Sequence, residues 1–184
     1  MYMELCVSDI DSDDTLNNLK KYVTIPIIKT TYENFLEMFE GIIQAKQEYW
    51  KALKEGNREK VQYYMKLLGL KKPKYNIQTI IFCDDASWIF NKNHPIIKHM
   101  NKTRHYQVSF WLNIHEWRAI PNEIRKLIDA VYICRGFSKE VLQHITRQIS
   151  SGMNFNKIFQ LYNSLEGYEK LFIDNQDQIV KIIS

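Results

Sequence analysis

Residues 77–83 (IQTIIFC) form an almost continuous apolar run that stops abruptly at two carboxylates, Asp84 and Asp85. A strand with no polar face suits the middle of a sheet covered by helices on both sides, which is the mark of parallel α/β architecture. Similar runs recur at residues 106–114 (YQVSFWLNI), 130–134 (AVYIC) and 170–174 (KLFID), with 1–7 and 22–30 as further candidates. Pro26 suggests an edge position for 22–30, because proline cannot donate to a ladder. Residues 8–18, with four aspartates, read as an exposed loop.

Helical spacing fills the gaps. Thr31 is placed to cap a helix over 32–55, whose apolar positions are Phe35, Met38, Phe39, Ile42, Trp50 and Leu53. Gly56 breaks it, and a second helix runs over 58–70 around Val61, Tyr64, Met65 and Leu68. Shorter helices are expected over 94–102, over 121–127 behind Pro121, over 138–149 behind Ser138, and over 157–165. Strands alternating with helices predict one doubly wound or three-layer sheet, with ligands gathered at its C-terminal edge.

With 184 residues, 45% hydrophobic and 25% charged, the chain has the composition of one globular domain. Its net charge of +4 permits contact with nucleic acid without demanding it. Cys6, Cys83 and Cys134 show no CxxC spacing, so neither a disulfide framework nor a zinc site is indicated, and a reducing compartment is expected. No apolar stretch reaches the roughly 18 residues of a bilayer span, and the acidic N-terminus is no signal peptide. These features predict a soluble, intracellular protein.

The chemistry-bearing residues cluster at the predicted strand ends. Ile80–Asp85 (IIFCDD) has the Walker-B form, four apolar residues then two acids. Such a strand holds the first carboxylate, Asp84, where it can bind Mg²⁺ through water, and the second, Asp85, where it can polarise an attacking water. The alternative is a pair of acids that merely solvate a turn. His115, after the strand 106–114, is either a sensor of the terminal phosphate or a surface histidine. Arg104 and Arg125 can neutralise phosphate charge, their own or a neighbouring subunit's, or form surface ion pairs. Lys71, Lys72 and Lys74 can touch DNA phosphates or simply solvate a turn. A nuclease site built on Asp84, Asp85 and Glu116 ranks last.

The order of these segments carries more than any one of them. IIFCDD, then Arg104-His105 before a strand, then IHEWRAIPNEIRKLIDAVYIC, then LYNSLEGYEKLFID, resembles the poxvirus-type DNA-packaging ATPases of large double-stranded DNA viruses, in the FtsK/HerA branch of P-loop NTPases. The resemblance covers residues 77–174 well and extends loosely back to Met1. It implies an α/β fold with a mostly parallel sheet flanked by helices, a P-loop NTPase core of the ASCE/RecA-like kind. It implies a single partial ATPase domain over 1–184: a strand and loop region (1–31), a helical hairpin (32–72) and a Walker B and sensor core (77–174). The implied activity is ATP hydrolysis coupled to translocation of double-stranded DNA into a capsid. ATP and Mg²⁺ are the implied cofactors; a homo-oligomeric ring and capsid or portal components are the implied partners. The implied location is the host cytoplasm, in a viral factory, or the virion. The implied roles are metal binding for Asp84, water activation for Asp85, sensing for His115, and charge neutralisation for Arg104 and Arg125.

Two departures stand out. None of the six glycines (41, 56, 69, 136, 152 and 167) is followed by Lys-Ser or Lys-Thr, so no G-x-x-x-x-G-K-[ST] loop is present to cradle phosphates. The missing block is the first strand, P-loop and first helix together, which predicts a truncated, split or late-started reading frame with Met1 or Met3 an internal methionine. The second departure is His115, where the family commonly has glutamine. The chain alone is therefore expected to bind ATP weakly and hydrolyse it negligibly. The alternative is a non-catalytic nucleic-acid-binding or interaction module that keeps the fold.

Overall fold

A computed structural model describes residues 2–6, 27–90, 95–149 and 153–184. It resolves into two compact units, Met1–His115 and Glu116–Ser184. The expected loop over 8–18 and the first part of the 22–30 strand, Pro26 included, lie outside the described residues, as does His94.

In the first unit, strands β1 (Tyr2–Cys6), β2 (Ile27–Thr30), β3 (Thr79–Cys83) and β4 (Val108–Leu112) form a parallel sheet in the order β2-β1-β3-β4. β3 is interior, with Thr79, Ile81 and Cys83 at 0–1% exposure, as its apolar run demands. Among the described strands β2 lies at one edge, where Pro26 pointed, and β4 at the other.

Parallel neighbours need crossovers. The connection from β2 to β3 passes through helices α1 (Tyr32–Glu55) and α2 (Arg58–Leu67). Phe35, Phe39, Ile43, Tyr49 and Ala52 of α1 are buried at helical spacing, and so is Lys46. The expected apolar positions Met38, Ile42, Trp50 and Leu53 flank this stripe and are only half-buried. Thr31 occupies the N-cap position, but its hydroxyl makes no capping bond: its carbonyl accepts from Asn34 N instead (3.2 Å). Gly56 ends α1 in the left-handed region (φ 67°), which costs glycine little. Asn57 then caps α2 by accepting from Lys60 N (3.1 Å). The crossover from β3 to β4 includes a 3₁₀ turn (Ala86–Phe90) and two short helices, α3 (Ile96–Met100) and α4 (Thr103–Tyr106).

The second unit departs from the expected single sheet. Strands β5 (Ala130–Ile133), β6 (Lys170–Asp174) and β7 (Ile179–Ile183) form a separate antiparallel sheet in that order. β5 was expected among the core strands of the parallel sheet. Only Ile133 of it is buried, while Ala130 and Tyr132 are exposed, the alternation of a strand with one solvated face. β7 follows β6 through a tight turn in which Asp174 Oδ1 accepts from Gln176 N and Asp177 N (2.9 and 3.0 Å). Helix α5 (Asn122–Arg125) behind Pro121 is shorter than expected. Helices α6 (Lys139–Ile149) and α7 (Phe155–Asn163) complete the unit. Leu142, Ile145 and Ile149 share the inner face of α6 and join Ile133, Ile158, Leu171 and Ile173 in the core. The Tyr162 hydroxyl accepts from Phe137 N (2.7 Å) and donates to Cys134 O (3.2 Å), pinning the exit of β5.

Candidate active site at the tip of β3

β3 delivers Asp84, half-buried, and Asp85, exposed, at the C-terminal edge of the parallel sheet. Chain direction reverses at once: Asp85 sits in the left-handed region (φ 45°), which aspartate tolerates better than most residues. Its amide donates to Asp84 Oδ1 (3.1 Å), and Ser87 Oγ donates to Asp85 Oδ1 (2.9 Å). Both carboxylates are thereby oriented by their own turn.

The closest side-chain contact to the pair comes from Asn113, just past β4. Its Nδ2 donates to Asp84 Oδ1 at 2.7 Å. Its backbone is tied to the same turn, because Asn113 N donates to Cys83 O (2.9 Å) and Ala86 N donates to Asn113 O (2.8 Å). Three hydrogen bonds thus lock the two strand ends together, a short, charge-assisted one among them. Sequence reasoning passed over Asn113 in favour of His115. The available signal was position: Asn113 is the first polar residue after VSFWL.

His115 lies two residues further on, exposed, with no side-chain hydrogen bond to Asp84 or Asp85. Arg104 lies on α4, before β4. Since β3 and β4 run parallel in register (Thr79 opposite Val108, Cys83 opposite Leu112), Arg104 is at the other end of the sheet from the acids, about 16 Å of strand away. Within the first unit it does not join them. Arg125 belongs to the second unit. Its Nη1 donates to Gln148 Oε1 (2.8 Å) and meets His144 Nε2 (3.0 Å), and Trp117 Nε1 donates to the same Gln148 oxygen (2.9 Å). Arg125 is therefore held by Gln148 and His144 and not by the surface carboxylate expected of an ion pair.

The residues present fit a divalent cation in part and phosphates less. Asp84 Oδ1 is occupied by its two donors, which leaves Oδ2 to face a ligand. Mg²⁺ commonly takes one or two carboxylates and completes its shell with water and phosphate. Among the described residues no three His, Cys, Asp or Glu side chains gather to hold a metal. Nor does the sequence contain a glycine-rich loop ending in Lys-Ser or Lys-Thr. Among the described residues no helix is long and apolar enough to cross a membrane.

A parallel sheet flanked by helices, with an acidic pair at the C-terminal tip of an interior strand, fits the P-loop NTPase fold. Solved structures agree. The chain aligns over its whole length with 82% of the genome packaging NTPase B204 from Sulfolobus turreted icosahedral virus 2 in complex with ATP-gammaS (TM-score 0.63, 15% identity). The same protein in complex with AMP gives the same coverage (TM-score 0.62, 15% identity). B204, the DNA-packaging ATPase from Sulfolobus Turreted Icosahedral Virus, aligns likewise over the whole chain and 82% of its own (TM-score 0.60, 14% identity). No curated protein matches the sequence. Residues 18–175 match the model of the Poxvirus A32 protein family, and the chain belongs to that family of viral DNA-packaging ATPases.

Proposed function

We propose that this chain is part of a genome-packaging motor that couples ATP hydrolysis to translocation of double-stranded DNA into a viral capsid. Its share of the catalytic machinery is the acidic tip of β3 together with Asn113. The observation that carries the reading is the Asn113 amide on the Asp84 carboxylate at 2.7 Å, at the sheet edge where α/β folds gather ligands. Family membership supports the motor role.

In this reading IIFCDD is a Walker B motif of the FtsK/HerA kind, and residues 1–184 serve as one partial ATPase domain. Asp84 holds Mg²⁺, which when bound offsets charge on the phosphate oxygens. Asp85, more exposed and turned by its left-handed backbone, orients and polarises the attacking water. Asn113 fixes the Asp84 rotamer and offers its second amide proton toward the terminal phosphate. His115 supplies a further hydrogen-bonding group beyond it. Arg104 and Arg125 serve the phosphate of a neighbouring subunit in a homo-oligomeric ring, which works on capsid or portal components in the host cytoplasm or the virion. The phosphate cradle has to come from a segment carrying G-x-x-x-x-G-K-[ST], so this chain alone binds ATP weakly.

The test is ATP turnover by the chain alone and by the chain fused to a strand, G-x-x-x-x-G-K-[ST] loop and helix from a packaging-ATPase relative. Background turnover alone, with restored turnover in the fusion that Asp84→Asn abolishes, is the expected result. A folded fusion without Mg²⁺-dependent turnover would sink the motor reading. That outcome would favour the second reading, a non-catalytic nucleic-acid-binding module, which the missing phosphate loop supports and which predicts DNA binding indifferent to ATP.

A further inference from the structure

One segment of the chain is strongly basic. Residues 58–74 carry six cations (Arg58, Lys60, Lys66, Lys71, Lys72 and Lys74) against the single acid Glu59, a net of +5. The whole chain nets +4, so everything outside this segment sums to −1. All six cations are exposed.

The same segment exposes apolar surface between its cations: Tyr63 is 64% exposed, Leu67 58% and Tyr75 82%. These side chains are not failures of packing. Val61 and Leu68 of α2 and its end are buried against Ala45, Tyr49 and Ala52 of α1, with Tyr64 and Met65 beside them. The opposite face of α2, bearing Tyr63 and Lys66, is turned outward from a helix already anchored. The irregular stretch after it is anchored too. The buried Tyr49 hydroxyl accepts from Lys74 N (2.8 Å) and donates to Lys74 O (3.0 Å), and Ile77 N donates to Gln107 Oε1 (2.9 Å). Lys74 therefore projects from a fixed backbone.

We infer that α2 and residues 71–75 form a contact surface for the backbone of double-stranded DNA. The lysines pair with phosphates, and Tyr63 and Tyr75 pack on the sugars between them. Duplex DNA carries about one negative charge per 1.7 Å of axis, so the roughly 15 Å length of α2 alone faces about nine. A membrane surface fits less well, because an interfacial helix needs a continuous apolar face and that of α2 is spent on α1. The choice of duplex DNA rests on the packaging reading. The surface lies beyond the N-terminal end of β3, at the opposite end from Asp84 and Asp85, so the two can be tested apart.

The experiment is fluorescence anisotropy of a random-sequence duplex of about 20 base pairs with the full 184-residue chain, without nucleotide, across a salt series. Lys71→Ala/Lys72→Ala/Lys74→Ala should weaken binding at least about tenfold near 0.1 M salt and lower the slope of log K against log salt by about one per contacting lysine. Tyr63→Ala/Tyr75→Ala should weaken binding with the slope kept. A control triple on the second unit, Lys126→Ala/Arg147→Ala/Lys157→Ala, should change neither. Equal losses from both triples, or none from the first, would overturn the inference. So would capture of phosphatidylserine vesicles through these lysines with no binding of the duplex. Because nucleotide is absent, ATP turnover does not enter this measurement, and failure of the ATPase reading is scored separately.

Discussion

The two ends of β3 carry polar groups of opposite kinds in opposite settings. At its N-terminal end Lys46 is fully buried, with Nζ donating to Thr79 Oγ1 and to Gln107 O (3.1 Å each) and lying 5.7 Å from the centre of the Trp50 ring. At its C-terminal end Asp84 and Asp85 keep contact with solvent, and Asp85 holds a strained backbone conformation. A buried polar side chain tied to the starts of two strands contributes to architecture. Partly solvated acids held by short hydrogen bonds at a sheet edge are available for chemistry. The contrast implies that stability and activity can be perturbed separately within one unit.

The strongest way to sharpen the contrast is at the buried end. Lys46→Ala should lower stability in urea unfolding by about 3 kcal/mol, since it opens a cavity and takes the donor from the buried Thr79 Oγ1. A loss under about 1 kcal/mol would break the architectural reading. Tyr49→Phe removes both hydrogen bonds to Lys74 and should cost roughly 1–2 kcal/mol by the same measurement. At the other end the effects shrink. Asn113→Ala should cost about 1 kcal/mol of stability while severely impairing any turnover in the loop-completed protein. Asp85→Gly should change sign, raising stability by about 0.5 kcal/mol because glycine takes a positive φ without a Cβ penalty. Destabilisation by Asp85→Gly would mean that the turn depends on the Asp85 side chain.

Much of the first unit was legible from local pattern. The apolar run through Ile81 and Cys83, closed by two acids, specified a buried parallel strand with an acidic pair at its tip. The helical hairpin followed from Gly56 and the spacing around it. Long-range partners were less accessible. Asn113 reaches Asp84 only because β3 and β4 are in register, which depends on the pairing of Cys83 with Leu112 and is invisible to either segment alone. The same holds for Lys46, which reads as a surface residue until Thr79 and Gln107 are brought to it. AVYIC was misjudged because a four-residue strand too short to display its alternation looks like a core strand. The hairpin to β7 was missed because Ile179–Ile183 is broken by Lys181 and follows polar turn residues.

The most direct measurement is Mg²⁺-dependent ATP turnover by the loop-completed protein carrying Asp85→Asn, with its urea stability recorded alongside. Turnover lower by at least about a thousandfold at unchanged or higher stability is the predicted result, as expected when a group acts on the reacting water and not on the fold. Turnover at the level of the unsubstituted protein would contradict the assignment of chemistry to the tip of β3.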